Sequence, residues 1–163
     1  MRHSDREIRD RATIDQIINS AQVLRIGSCK ENMPYIVPVC FGYDGKYIYF
    51  HTSAKGMKID YMTFNQQVCF ELEDDIMVIP NACIACKWSM SFRSVIGFGM
   101  IQEMVVHEDK IHALDHIMKH YSGSTWEFDE DIFKITRVWR ISILDIKGRQ
   151  SKDRVLDTQS SIC

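Results

Sequence analysis

Apolar and polar residues follow two different periods along this chain. Residues 14–22 (IDQIINSAQ) put Ile14, Ile17, Ile18 and Ala21 on one helical face, and Thr13 with Gln16 three residues later predicts a capping box. The pattern turns strand-like over 23–28 and again over 35–43 (YIVPVCFGY). Asp44-Gly45 is a hairpin signal, with 46–52 as the return strand. A short helix is predicted over 54–65, with Met57, Tyr61 and Phe64 sharing a face. Residues 68–73 read as a strand, and the run IMVIPNACIACKW after them is interrupted by Pro80 and Asn81. Residues 91–106 form a long strand in which Gly97 and Gly99 predict a bulge or a close backbone approach. The clearest helix is 108–121, with Ile111, Leu114, Met118 and Tyr121 facing inward. A helical turn over 128–135 and an alternating strand over 138–146 (VWRISILDI) complete the pattern.

These elements sum to a mainly β fold with helices: about six mostly antiparallel strands and three to four peripheral helices. Strands and helices do not alternate, which argues against a Rossmann-type sheet. Closure into a small barrel would remove exposed strand edges. No internal repeat is visible. Residues 1–150 are expected to form one domain, and 151–163, a polar stretch, a flexible tail.

Composition narrows the classes. The chain has 163 residues, 45% hydrophobic and 26% charged, an ordinary globular balance. A net charge of −2 gives no basic field, so no nucleic-acid partner is expected. No apolar run approaches the ~20 residues that span a bilayer, so no membrane partner is expected. The charged start, MRHSDREIRDR, lacks the apolar core of a signal peptide, and the expected location is cytoplasmic. Of the six cysteines, Cys40 and Cys69 sit in apolar runs and read as small buried hydrophobes, and no disulfide framework is expected.

The candidate chemistry gathers in YIYFHTSAKGMK, residues 47–58. A strand ends in His51, Thr52 and Ser53, and a helix begins with Lys55, Gly56 and Lys58 close behind. A helix N-terminus offers free N–H groups and partial positive charge. Ser53 stands where an N-cap would stand, and Thr52 and Ser53 can each donate a hydroxyl. Lys55 and Lys58 are three residues apart and can share a face. The spacing fits a phosphate cradle, and equally a capped surface helix with two solvated lysines. Pro38 inside its strand predicts broken pairing, which would free backbone groups to face a flat ligand. Arg93 and Ser94, ahead of VIGFG, offer a partner for anionic oxygens.

At this point the chain resembles a known family: the FMN-binding split barrels related to pyridoxamine 5′-phosphate oxidase, and within it the 5-nitroimidazole resistance (Nim) branch. The resemblance covers roughly residues 1–150. It rests on the order of DREI, PYIVPVCFGYD, YFHTSAKGMK, CKWSMSFRSVIGFG, HALDHIMKHY and RISILDIKGR. It implies a split β-barrel built as a homodimer, with two flavin sites at the subunit interface. Val37, Pro38 and Val39 would contact the polar edge of the flavin ring. His51, Thr52 and Ser53 would stand beside the ribityl chain and phosphate. Lys58 would neutralise the phosphate with Lys55 as helper, and Arg93 and Ser94 would reach the ring or phosphate. Trp139 and Arg140 would approach the partner's flavin. The implied activity is FMN-dependent reduction of small organic substrates such as nitroaromatics. NAD(P)H would be a transient electron donor, because no Rossmann fingerprint is present.

Alternatives within the resemblance are a non-catalytic flavin- or haem-binding module and pyridoxamine 5′-phosphate oxidase itself. True oxidases of the family carry an arginine–lysine pair in the cradle and an aromatic, arginine-rich C-terminal segment. Here Met57 precedes Lys58 and the chain ends SKDRVLDTQSSIC, so oxidase activity ranks last. His51 is the candidate catalytic residue, as a proton donor or electrostatic partner of the flavin, or else a core histidine.

Two further motifs stand apart. Cys83 and Cys86 form a lone C-x-x-C, read as packing, with redox or metal use the other options. His112, His116 and His120 recur every fourth residue opposite the inward face. They are read as a solvated or interface stripe, with no metal expected for want of further ligands.

Overall fold

The computed structural model describes residues 4–152. The expected flexible tail lies, from residue 153 on, outside the described residues. Its first residue, Ser151, is buried, and its N–H donates to the Phe92 carbonyl at 2.9 Å.

A single turn of 3-10 helix, Ser4–Arg6, leads into β1 (Glu7–Ile8) and α1 (Arg11–Ser20). The order continues β2 (Leu24–Lys30), β3 (Met33–Val39), β4 (Phe41–Tyr43), β5 (Tyr47–Ser53) and α2 (Met57–Phe64). Then come β6 (Gln67–Ile79), a 3-10 turn at Ala85–Lys87, β7 (Ser89–Met104), α3 (His107–Ser122), α4 (Ile132–Ile135) and β8 (Thr136–Gln150). The fold is mainly antiparallel β, as expected, with eight strands and four α-helices among the described residues. The sheet runs β3-β2-β6-β7-β8-β5-β4, with β1 added against β8. It does not close: β3 and β4 are its two ends, so the expected closure is replaced by a split. No helix among the described residues is long and apolar enough to cross a membrane.

The split corrects the predicted hairpin. The run 35–43 is two strands that part at Cys40. Residues 41–43 pair with β5 around the Asp44-Gly45 turn, but 33–39 pair with β2 on the far side. Pro38 does not break that ladder, which runs unbroken from Leu24↔Val39 to Lys30↔Met33. Pro34 and Pro38 share a parity on an edge strand, so their missing N–H groups fall on the side turned away from β2.

The core explains the remaining shifts. Phe41, Phe50, Phe70, Leu24, Ile48, Leu72, Ile101 and Ile141 fill the inside of the sheet, and α1 closes it with Ile14, Ile17 and Ile18. Asp10, not Thr13, caps α1: its carboxylate accepts from the Thr13 N–H at 2.9 Å. The buried face of α2 is Ile59 and Met62, while Met57 and Phe64 are exposed. Both glycine readings of β7 hold. A register shift against β8 falls between Phe98 and Gly99, and a Cβ on Gly97 would sit 2.2 Å from the Phe70 ring. Cys69 is exposed because β6 alternates and puts Val68 and Phe70 inside instead, and Cys40 is exposed at the corner between β3 and β4. Cys83 and Cys86 are also exposed, so core packing is not their role.

A second, smaller cluster lies on the outer face. Here Ala113, Leu114 and Ile117 of α3 cover Tyr49, Met104 and Val138. The helix rotates slightly from its predicted setting, which brings His116 and His120 inward and leaves His112 exposed. His116 stacks on Tyr49 at 5.6 Å, and His120 packs on Phe41 at 4.4 Å with Nε2 2.7 Å from the Ala21 carbonyl.

Candidate functional site

The split is where two strands lose a partner. The β4–β5 ladder stops at Phe41↔Phe50, yet β5 runs on to Ser53 against Thr136 of β8. His51, Thr52 and Ser53 therefore have a strand on one side only, and the edge strand β3 lies across the corner at Cys40. After Ser53 the chain crosses the end of the split and enters α2. That helix packs back on β2 and β3, with the Tyr35 and Tyr61 rings 5.0 Å apart.

Alternation along β5 sorts the predicted residues by face. Thr52 is buried and turned to the core. Its Oγ1 accepts from Trp139 Nε1 at 3.1 Å and donates to the Ser53 carbonyl at 2.9 Å. Trp139 is buried, parallel to Phe50 at 6.4 Å, and carries the Arg137 guanidinium 4.8 Å above its ring. Arg137 is held in turn by Glu103, with Nε to Oε1 at 2.8 Å. Thr52 and Trp139 thus act as one buried brace under the strand end.

His51 and Ser53 point to the other face and are exposed. Ser53 Oγ donates to the Lys55 carbonyl at 2.9 Å, which tightens the turn. The helix starts three residues later than predicted: Gly56 is its N-cap, with φ 135° and ψ 165° and no side-chain cap. The backbone of α2 therefore presents its first N–H groups without competition from a capping side chain. Partial burial and the neighbouring Lys58 ammonium hold the His51 imidazole below its usual value. Among the described residues, neither Lys55 nor Lys58 has a carboxylate within salt-bridge distance. Asp60, also in the first turn, is exposed.

The other predicted residues lie elsewhere. Val37 and Val39 pack against the core from β3, and Pro38 is exposed between them. Arg93 and Ser94 pair with Gln150 and Arg149, at the opposite end of β8 from Thr136. Arg93 is buried, with Nε 2.9 Å from Asp74 Oδ1, 3.1 Å from Asp75 Oδ2, and NH1 3.2 Å from Gln16 Oε1. Arg140 donates to Gln102 and lies 5.1 Å over the Tyr47 ring.

One feature escaped the sequence. An open groove of about 780 Å³ runs over β2, β3, β6, β7 and β8, lined by Tyr35, Ile36, Val68, Cys69, Phe98 and Leu144 among others. Ile36, Phe98 and Leu144 are 65%, 55% and 67% exposed. Exposed Ile96 and Phe98, two positions apart on β7, were the available signal.

Comparison with known proteins agrees with this architecture. The sequence profile of the pyridoxamine 5′-phosphate oxidase family matches residues 10–150. The chain is 28% identical to a candidate 5-nitroimidazole antibiotic resistance protein from Bacteroides thetaiotaomicron VPI-5482, with a TM-score of 0.79 over 88% of this chain and 86% of that one. The flavocytochrome Anf3 of Azotobacter vinelandii shares the fold at 18% identity, with a TM-score of 0.78 over 98% and 75% of the two chains. So does the FAD and haem binding protein of Mycobacterium smegmatis, at 13% identity and a TM-score of 0.77 over 91% and 75%.

Proposed function

The chain belongs to the pyridoxamine 5′-phosphate oxidase family, and from that premise we propose that it binds FMN at the split and reduces small organic acceptors. Nitroaromatics such as 5-nitroimidazoles are the first class to test. The observation that carries the reading is the end of β5: an uncapped helix N-terminus, a glycine and two lysines that have no carboxylate partner among the described residues, beside an imidazole. That donor set suits a phosphate dianion. Lys58 neutralises the phosphate, with Lys55 assisting. His51 serves as hydrogen-bond partner. The free edge of β3 over Val37–Val39 offers backbone N–H and C=O groups to the polar rim of a ring. When bound, the flavin supplies the electron transfer that no side chain here can perform, with NAD(P)H as transient donor.

The same reading makes the protein a homodimer, with the outward face of Ile36, Phe98 and Leu144 covered by a second copy. Arg140, on the strand paired with β5, would exchange its hydrogen bonds to Gln102 for the partner's ligand.

The test is the visible spectrum of the purified protein, followed by mass spectrometry of the molecule it releases. A flavin spectrum with FMN released supports the cradle, and steady-state oxidation of NAD(P)H with a nitroimidazole then tests turnover. Release of FAD would move the proposal to the larger cofactor. A colourless protein that ignores added FMN would end it.

A further inference from the structure

We propose that Asp44, His112 and His116 form a binding site for one divalent transition-metal ion of the zinc, cobalt or nickel class, fastening α3 to the β4–β5 hairpin. Each of the three presents a ligand atom, and these atoms all lie within 4.8 Å of one another. His112 and His116 are one turn apart on α3, with ring centroids 4.6 Å apart and planes at 69°. Two imidazole nitrogens and one carboxylate oxygen are the donors such ions accept, and three protein ligands leave at least one position for water.

The surroundings hold the ligands in place. The Asp44 carboxylate is fixed on both oxygens: Oδ1 accepts from the N–H of Lys46 at 2.8 Å and of Tyr47 at 2.6 Å. Oδ2 accepts from the Tyr49 hydroxyl at 2.7 Å. Each oxygen has lone pairs beyond those bonds, and hydrogen bonding of a ligating carboxylate is the usual supporting arrangement. Tyr49, itself buried, stacks on His116 at 5.6 Å and meets His112 edge-on at 5.7 Å.

The helix cannot drift from the hairpin, because Gly42 lets it rest directly on β4. A Cβ there would stand 2.3 Å from the His116 carbonyl carbon. Ligands about 2.0–2.2 Å from an ion stand roughly 3.3 Å from each other in a tetrahedron. His112 is exposed and can turn to close that gap. The site shares no residue with the proposed flavin cradle, so the two proposals stand or fall separately.

The full-length chain, with any affinity tag removed and stripped with a chelator, is titrated with Zn²⁺ and separately with Co²⁺. The expected result is one ion per chain, a raised thermal midpoint, and a Co²⁺ spectrum without thiolate charge-transfer bands. His112→Ala should leave the metal-free midpoint unchanged and weaken Zn²⁺ binding about 10- to 100-fold. Asp44→Asn, which keeps an acceptor for the turn, should also weaken it, and His107→Ala should not. No retained ion, affinity unchanged in His112→Ala, or thiolate bands assigning the metal to Cys83 and Cys86 would each overturn the site.

Discussion

Two cationic clusters mark opposite ends of the long β7–β8 ribbon, and they differ in what already faces them. At one end Arg93 is buried and met by Asp74, Asp75 and Gln16. At the other, Lys58 and Lys55 stand at an uncapped helix start with no carboxylate in reach among the described residues. A cation whose hydrogen bonds are already made within the chain serves the fold. A cation left open beside free N–H groups can serve a ligand. From sequence both looked like anion sites, and the contrast between them is open to direct test.

The largest expected effect is at the saturated end. Arg93→Ala removes the buried cation that Asp74 and Asp75 both face, and breaking a buried ion pair typically costs about 3–5 kcal/mol. Urea unfolding should show that loss, while Lys58→Ala, at the open end, stays within about 0.5 kcal/mol of the parent. Comparable losses in the two variants would erase the distinction.

Next comes Gly56→Ala. Its φ of 135° and ψ of 165° belong to a region open essentially to glycine alone. Nothing stands within 4 Å of a Cβ there, so the cost is backbone strain, about 1–3 kcal/mol, and not a clash. The strain should also turn the first N–H groups of α2 and weaken binding of added FMN. A variant of full stability and full FMN affinity would mean the cap geometry is irrelevant to the site.

Why one end was legible and the other was not follows from distance along the chain. His51, Ser53, Lys55, Gly56 and Lys58 lie within eight residues, so their grouping survives any fold that keeps a strand followed by a helix. Even here the cap was misplaced, because Ser53 and Gly56 are both good cap residues and only the backbone decides between them. Arg93 finds Asp74 through strand pairing 19 residues away, and Gln16 comes from a helix on another layer. The division at Cys40 was hidden for the same reason. Strand propensity is continuous from Tyr35 to Tyr43, and only the pairing of β3 with β2 shows that the chain has turned a corner. The β2–β3 hairpin itself turns on Glu31 and Asn32, both at positive φ, and glutamate gives no signal for that conformation. Asp44 was read as a turn residue, which it is, and that reading hid its place beside two histidines of α3.

Lys58→Ala carries a smaller effect and a sharper meaning. Removing one ammonium from a phosphate site should weaken FMN about tenfold, near 1.4 kcal/mol, with stability nearly unchanged. Lys55→Ala, two residues before the helix, should weaken it less. Fluorescence titration with FMN and with riboflavin separates the effects, since riboflavin lacks the phosphate and should bind equally to the parent and to Lys58→Ala. Equal weakening of both ligands would place Lys58 elsewhere than at the phosphate.

The smallest effect is a proton on His51. Burial first, and the Lys58 charge second, hold its imidazole below the ordinary 6.5. The unfolded chain then binds that proton more readily than the native one. The contribution to stability is fully present above about pH 6.5 and is lost as pH falls through the lower native value. His116 and His120 are lowered as well, both chiefly by burial, and push in the same direction, so His51 must be isolated by subtracting the profile of His51→Asn. NMR titration of the His51 ring reports the site itself. Its midpoint should lie below 6.5, rise in Lys58→Ala, and rise in the parent when inorganic phosphate or FMN brings negative charge to the cradle. An imidazole that titrates normally and ignores both the lysine and the anion would separate His51 from Lys58, and the open end would no longer differ in kind from the closed one.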